Sequence, residues 1–90
     1  MNIKETILHY LFVYGGEYES AMERVKNKLF RGLSRKEQAQ MDNSIFFAFE
    51  DLKNKKNIEL ITCEKMTAEQ LRKFNTEGKT FYRIINKSID

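Results

Sequence analysis

Residues 34–56 read SRKEQAQMDNSIFFAFEDLKNKK, and this stretch decides the fold. Ser34, followed three positions later by Glu37, is a capping box, in which each side chain accepts a hydrogen bond from an unpaired backbone N–H. Three lysines close the stretch, where the dipole of a helix is negative. The pattern therefore predicts one long helix with a polar, basic N-terminal half and a core-forming C-terminal half. Its apolar residues recur at helical spacing and form one stripe: Met41, Ile45, Ala48, Phe49 and Leu52.

The composition places narrow bounds on the kind of protein. The chain has 90 residues, which fits one domain over residues 1–90 with a single core. It has no run of about 18 apolar residues, so we expect no membrane span, and its N-terminus lacks the features of a secretory signal. The lone cysteine, Cys63, excludes an internal disulfide and a metal cluster built on several thiolates. We therefore expect a cytoplasmic protein with no metal and no cofactor.

Positive charge is concentrated in residues 24–36, which carry six cations and no acid, although the net charge is only +3. Residues 1–23, by contrast, carry four glutamates against one lysine. A surface that concentrates positive potential attracts phosphate even when the net charge is small. The alternative is an ordinary solvated helix face, and the sequence leaves both interpretations open.

Two further helices are predicted before the central stretch. The first covers residues 3–14 and ends at Gly15 and Gly16, because glycine adopts the left-handed conformation at little cost. Its expected buried face is broad and consists of Ile3, Ile7, Leu8, Leu11, Phe12 and Tyr14. The second is expected over residues 18–31, with a glycine-containing turn at residues 32–34, which makes a helix-turn-helix signal. Its predicted buried row consists of Met22, Val25, Leu29 and Leu33.

Two runs near the C-terminus predict β-strands. Residues 58–63 and 80–85 are rich in β-branched and aromatic side chains, with partial alternation. The two strands are expected to pair as an antiparallel hairpin. The predicted fold class is therefore α+β, with a three-helix bundle followed by a two-stranded antiparallel β-hairpin.

The segment that joins the two strands, residues 64–79, is long for a hairpin loop. It contains a second capping box at Thr67 and Gln70, and Gly78 would end the helix that follows. We therefore expect a short helix inside this loop. Residues 86–90, after the second strand, predict a frayed tail.

Three helices followed by a β-hairpin is the element order of the winged-helix fold, and the local spelling supports this resemblance. In bacterial winged-helix regulators the recognition helix ends in the spacing V-x-x-A-L-x-x-L before a few polar residues and a strand. Residues 45–58 read I-x-x-A-F-x-x-L, then five polar residues, then isoleucine. Residues 77–84, EGKTFYRI, resemble the returning wing strand of PadR-like and MarR-like regulators. The resemblance covers about residues 18–86 and implies a DNA-binding transcriptional regulator with residues 35–55 as recognition helix.

The resemblance also implies which residues meet DNA. The N-terminal half of the recognition helix would enter the major groove, where arginine binds guanine and Gln or Asn binds adenine; the candidates are Ser34, Arg35, Lys36, Gln38, Gln40 and Asn43. The preceding helix and turn would contact phosphates through Lys26, Lys28 and Arg31. The wing would reach the backbone or minor groove through Lys79 and Arg83, with Lys65, Arg72 and Lys73 in the loop. Glu37 and Asp42 would repel phosphate if they faced it, so an ordinary surface helix is the alternative.

Phe47 lies on the polar side of the central helix, away from the apolar stripe. We expect the loop helix to cover it through Leu71 and Phe74, and a contact with a protein partner is the alternative. The second hypothesis for function is accordingly a small phage or mobile-element protein that binds and modulates a host protein, since a fold does not dictate function. The absence of proline and tryptophan and the abundance of Lys, Asn, Ile and Phe are typical of AT-rich genomes. The contact candidates are Phe47, Glu5, Glu17, Glu19 and Glu23.

Enzymatic function finds little support in the sequence. It contains no Gly-rich phosphate loop, no nucleophile–base motif and no paired histidines. Cys63 is expected to be a packed thiol in an apolar strand, and His9 a partly exposed helix residue. The expected partner is double-stranded DNA, with a protein as the alternative. The chain is too short for the extra dimerisation helices of the regulators it resembles, so either a monomer or a homodimer is expected.

Overall fold

The computed structural model describes residues 1–89 and has α+β architecture, with four helices and a two-stranded antiparallel sheet. A 3-10 turn over Cys63–Lys65 follows the first strand. The predicted class, the order of three helices before the paired strands, and the short helix between those strands are confirmed. The elements are α1 Ile3–Val13, α2 Tyr18–Leu29, α3 Arg35–Asn54, β1 Ile58–Leu60, α4 Ala68–Glu77 and β2 Tyr82–Ile84.

The core lies between α1, α2 and the C-terminal half of α3. The stripe predicted for α3 is confirmed, because its central residues are buried and Met41 and Ala48 pack partly buried at its edges. Both predicted capping boxes are also present. Helix α2 ends at Leu29, two residues earlier than predicted, and Gly32 makes the turn to α3 with a φ of +78°. The buried residues of the three helices are Thr6, Ile7, Leu8, Leu11, Ala21, Met22, Val25, Ile45, Phe49 and Leu52.

The buried face of α1 is narrower than predicted. Phe12 is 67% exposed and Tyr14 is 40% exposed, so the expectation that both pack in the core is wrong. Each residue turns about 100° around a helix, so Phe12 points away from the side on which Leu11 meets α2 and α3. Tyr14 lies beyond the last residue of the helix, at its C-cap. The number of neighbouring elements, rather than the number of apolar residues, sets the width of the buried face.

The strands pair in the predicted antiparallel sense, with Glu59 opposite Arg83. Both are shorter than predicted: β1 ends three residues earlier, at Leu60, and β2 covers only Tyr82–Ile84. Phe81, expected inside the second strand, is buried and forms an isolated bridge with Glu17, just before α2. The segment between α1 and α2 thus takes the place of a further partner strand.

Gly16 allows this close approach between two backbones. Its carbonyl accepts a hydrogen bond from the N–H of Tyr82 at 2.8 Å, and the N–H of Tyr18 donates to the carbonyl of Thr80 at 2.9 Å. Gly16 has a φ of +89°, and a Cβ added to it would lie 2.3 Å from the Tyr82 carbonyl oxygen. No residue with a side chain fits there, so the glycine that ends α1 also admits the returning strand.

The segment after β2 is held in place, and the prediction of a frayed tail is wrong for the described residues. Asn57, which is buried, donates from its side-chain amide to the carbonyls of Asn86 at 2.8 Å and Ser88 at 2.7 Å. Ile89 packs against the core. The side-chain amide of Asn57 therefore holds the segment after β2 against the protein, beyond the point where the hydrogen bonds between the strands end. Asp90, the remainder of the predicted tail, lies outside the described residues.

Candidate nucleic-acid interface

The outermost side of α3 carries a row that we call the outer ridge: Lys36, Gln40, Asn43 and Phe47. These residues follow one another at spacings of three or four and lie opposite the buried stripe. All four are exposed. The row extends over twelve residues, or roughly 16 Å along the helix axis from the first to the last. In the described chain the side chains of Gln40 and Asn43 form no hydrogen bond, and their amides are free to contact another molecule.

The start of α3 is occupied by its own cap. The Ser34 hydroxyl accepts from the N–H of Glu37 at 3.2 Å, and the Glu37 carboxylate accepts from the N–H of Ser34 at 3.0 Å. The hydrogen bond that the Ser34 N–H donates to the Glu37 carboxylate, followed by that of the Ser34 side chain, holds the pKa of Glu37 below its ordinary value. Gln38, a predicted base contact, is half-buried and donates to the carbonyl of Leu33 at 3.1 Å. Ser34 and Gln38 therefore bind backbone groups at the start of α3, and neither belongs to the outer ridge.

The two acids that counted against phosphate binding are both engaged. Glu37 is held in the capping box, and Asp42 forms an ion pair with Lys26 of α2 at 3.1 Å. The nearby ammonium reduces the repulsion between Asp42 and a phosphate at the outer ridge. Lys26, a predicted phosphate contact, is thereby engaged within the protein. A surface pair of this kind is weak, about 0–1 kcal/mol, so it does not fix the lysine permanently.

Three exposed cations follow one another through the turn into α3, and we call Arg31, Arg35 and Lys36 the basic corner. Each of the three is exposed. Within residues 1–89 none of them forms an ion pair with a carboxylate, while seven other cations of the chain do. Uncompensated positive charge is therefore concentrated at the N-terminal end of α3, beside the start of the outer ridge.

Lys28 lies on a different side of α2. Its ammonium stands 6.0 Å from the ring centroid of Tyr10, on α1, whereas Lys26 reaches towards α3. Arg24 is one helical turn before Lys28 and shares its side. Lys28 is therefore directed towards α1, whereas Lys26 is directed towards α3 and the outer ridge.

The cations of the wing are mostly paired. Arg83 forms an ion pair with Glu59 across the sheet. Lys73 reaches the buried Glu17 at 3.6 Å, and Arg72 lies 3.6 Å from Glu77 on its own helix. Lys65 is exposed and Lys79 is half-buried. Most of the wing's positive charge is thus balanced within the protein, whereas within residues 1–89 the three cations of the basic corner have no carboxylate partner.

Phe47 is 68% exposed, and the expectation that the loop helix covers it is wrong. Helix α4 packs instead on the sheet side, where Phe74 lines a shallow cavity with Leu60 and Phe81. Phe46, which the sequence analysis did not single out, is also 58% exposed and meets the Phe47 ring edge-on at 5.5 Å between centroids. The sequence did contain a signal for this exposed pair, because two adjacent phenylalanines lie outside the i, i+3, i+4 stripe of buried residues.

A cleft lies between α2, α3 and β2. Its floor is an aromatic cluster in which the rings of Tyr18, Phe49 and Tyr82 meet at 5.0 to 5.7 Å between centroids. Burial raises the pKa of Tyr82, and the hydrogen bond with Glu50, 2.8 Å away, raises the pKa of Lys53. Of the charged groups lining this cleft, Lys26 pairs with Asp42, Lys53 pairs with Glu50, and Glu19 accepts hydrogen bonds from Thr80, which is typical of a structural cluster.

Cys63 is exposed in the 3-10 turn rather than packed in a strand, because β1 ends three residues before it. His9 is exposed, as expected. Within residues 1–89 no three His, Cys, Asp or Glu side chains converge as metal ligands would. In the same range, no helix is long and apolar enough to cross a membrane.

Comparison of the chain with family models, with curated proteins and with solved structures finds no match. A conclusion about function therefore rests on the chain's own residues. The outer ridge and the basic corner are the surface where free hydrogen-bonding groups and free positive charge coincide.

Proposed function

We propose that this protein is a small, winged-helix-like regulator that binds double-stranded DNA in a sequence-specific manner, with α3 as its recognition helix. The observation that carries the proposal is the outer ridge, where free amides stand on one exposed row of a helix that begins at uncompensated cations. The order of α2, a short turn and the capped α3 supports it, as does the hairpin that follows. An α-helix fits the major groove of B-form DNA, where amide side chains have defined partners.

The two parts of this surface have different roles in the proposal. Arg31, Arg35 and Lys36 contact phosphates and set the register of the protein on the duplex. Gln40 and Asn43 read base edges, since a side-chain amide donates to adenine N7 through its NH2 group and accepts from adenine N6–H through its oxygen, whereas guanine presents two acceptors, N7 and O6. The ion pair with Lys26 reduces the repulsion that Asp42 would exert on a phosphate.

The test compares two double variants that remove the same charge from two places, the start of α3 and the side of α2 that carries Lys28. Duplex binding is measured by fluorescence anisotropy across salt concentrations, for Arg35→Ala with Lys36→Ala and for Arg24→Ala with Lys28→Ala. Each lost phosphate contact lowers the slope of log affinity against log salt by about 1. The first variant should lower the slope by about 2, while the second should keep the slope of the wild-type protein.

Two results would contradict the proposal. Unchanged binding by the Arg35 and Lys36 variant would remove α3 as the DNA-binding element. Equal losses in both double variants would show attraction by net charge alone, without a defined face. For sequence reading, Asn43→Ala should cost about 1–3 kcal/mol of discrimination between the preferred duplex and a duplex altered at one base pair.

The exposed pair Phe46 and Phe47 favours a second candidate function, binding of a host protein by a phage or mobile-element protein. Aromatic side chains are enriched at protein interfaces. Of the acidic residues considered for such a contact, Glu17 is buried and Glu19 accepts two hydrogen bonds from Thr80, at 2.7 and 2.8 Å. Glu5 and Glu23 are the exposed ones.

This candidate is tested with wild-type protein and a Phe46→Ser, Phe47→Ser variant on an affinity column. Recovery of one stoichiometric host protein by the wild type alone, with no retention of duplex at low salt, would favour it. Retention of duplex by the wild type, with no stoichiometric protein, would favour the DNA-binding regulator.

A further inference from the structure

Phe47 continues the row that Gln40 and Asn43 form, one helical turn beyond Asn43. Its ring is 68% exposed, so water contacts most of an apolar surface that α4 and the hairpin leave uncovered. The adjacent acid does not repel DNA there, because Glu50 pairs with Lys53 at 2.8 Å. An apolar group therefore stands in line with two adenine-binding amides on a helix that begins with free cations.

The major groove offers one apolar group to such a ring, the C5-methyl of thymine. Four residues separate Asn43 from Phe47, a rise of about 6 Å along the axis. Successive base pairs of B-form DNA are about 3.4 Å apart, so the ring falls roughly two base pairs beyond the one that Asn43 contacts. The amides prefer adenine and the ring prefers the thymine methyl, so both parts of the ridge favour A·T pairs.

We infer that the outer ridge selects A·T-rich duplexes, with Gln40 and Asn43 on adenines and Phe47 covering a thymine methyl about two base pairs further on. The inference rests on the proposed DNA-binding function and specifies its substrate class. The Phe46 ring meets the Phe47 ring edge-on at 5.5 Å between centroids and lies beside it on the same exposed side of α3.

The experiment removes the methyl group and nothing else. Duplexes are first selected from a random pool with the wild-type protein, and the preferred duplex is then made with deoxyuridine in place of thymidine. Uracil keeps the pairing and the groove acceptors of thymine but lacks the methyl. Loss of one buried methyl corresponds to about a four-fold loss of affinity, measured by anisotropy at one fixed salt concentration.

Two variants localise the effect. Phe47→Ala should bind the thymidine and deoxyuridine duplexes equally, while its salt slope stays that of the wild type. Phe12→Ala is the matched control, because Phe12 is 67% exposed on α1, and it should keep the four-fold preference. Both substitutions affect exposed rings, so circular dichroism should show unchanged folding.

The outcomes distinguish failure of this inference from failure of the proposed DNA-binding function. Equal wild-type affinity for both duplexes, with salt-dependent binding retained, overturns the methyl contact and leaves the proposed function in place. Selection of G·C-rich duplexes overturns it in the same way. Absence of duplex binding at low salt overturns both. A preference for thymidine that Phe47→Ala abolishes and Phe12→Ala keeps supports the inference.

Discussion

Helices α3 and α4 both begin with a capping box, but they differ in how many of their residues are buried. Ser34 and Glu37 cap α3, and Thr67 and Gln70 cap α4, each pair with reciprocal hydrogen bonds. Helix α3 has 20 residues and buries three of them in the core. Helix α4 has 10 residues and buries none.

The difference comes from the apolar side chains that each helix can offer to its neighbours. The stripe of α3 runs over three turns and packs against α1. Helix α4 has only Leu71 and Phe74, each 36% exposed, and its attachment includes one ion pair between Lys73 and the otherwise buried Glu17. Capping makes a helix start at a given residue, whereas burial of a continuous stripe makes it part of the core. The following substitutions test this contrast.

The largest expected difference is between two leucine-to-alanine substitutions. Leu52→Ala removes a side chain that is 1% exposed and should lower the free energy of unfolding by about 2–5 kcal/mol. Leu71→Ala removes one that is 36% exposed and should cost less than about 1.5 kcal/mol. Urea unfolding followed by circular dichroism measures both. Equal losses would show that α4 belongs to the same cooperative core as α3.

A smaller difference is expected at the two caps. Ser34→Ala should lower the global free energy of unfolding by about 1 kcal/mol, because α3 unfolds with the core. Thr67→Ala loses a similar cap, but its effect should be seen mainly as faster amide hydrogen exchange within α4. A global loss as large for Thr67→Ala as for Ser34→Ala would contradict this. Two exposed hydroxyls inside the helices, changed in Ser44→Ala and Thr76→Ala, are matched controls and should change little.

The smallest effect concerns the charge that ties α3 to α1. Hydrogen bonds from Lys4 and then Lys55 lower the pKa of Asp51 below its ordinary value of 3.8. A carboxyl with a lowered pKa in the folded state contributes stability above its unfolded pKa and loses it as the pH falls through the folded value. Asp51→Asn should therefore be less stable than the wild type near pH 7, with the gap closing in acid. A gap that is the same at every pH would rule out this contribution.

Several features of the fold and site could be predicted because their causes are local. The caps, the glycine stops, the stripe of α3 and the antiparallel pairing follow from residues a few positions apart or from strand patterns. The exposed ridge of α3 could also be anticipated, since a helix that buries one side exposes the other. The prediction for Phe47 was wrong because it depended on where α4 packs. Helix α4 packs on the side of the sheet and leaves Phe47 uncovered.

Other features depended on contacts between residues far apart in the sequence. The prediction of a frayed tail was wrong because Asn57, about thirty positions earlier, binds its carbonyls. The prediction for Cys63 was wrong because β1 ends early and the chain turns away from β2. The pairing of Asp42 with Lys26 was likewise invisible in the sequence, although it decides which charges are free.

By itself, the sequence determined where the helices begin and end, which side of α3 faces the core and where positive charge is dense. These properties arise from hydrogen bonds and periodicities within a few residues of each other, so they need no knowledge of the rest of the chain. Only the tertiary structure decided which cations remain unpaired and which aromatic rings remain in water. Both depend on neighbours brought together by packing, and the burial of each side chain is a property of the assembled core. The spacing of the outer ridge therefore follows from the local sequence of α3, whereas its exposure to solvent follows from the tertiary structure.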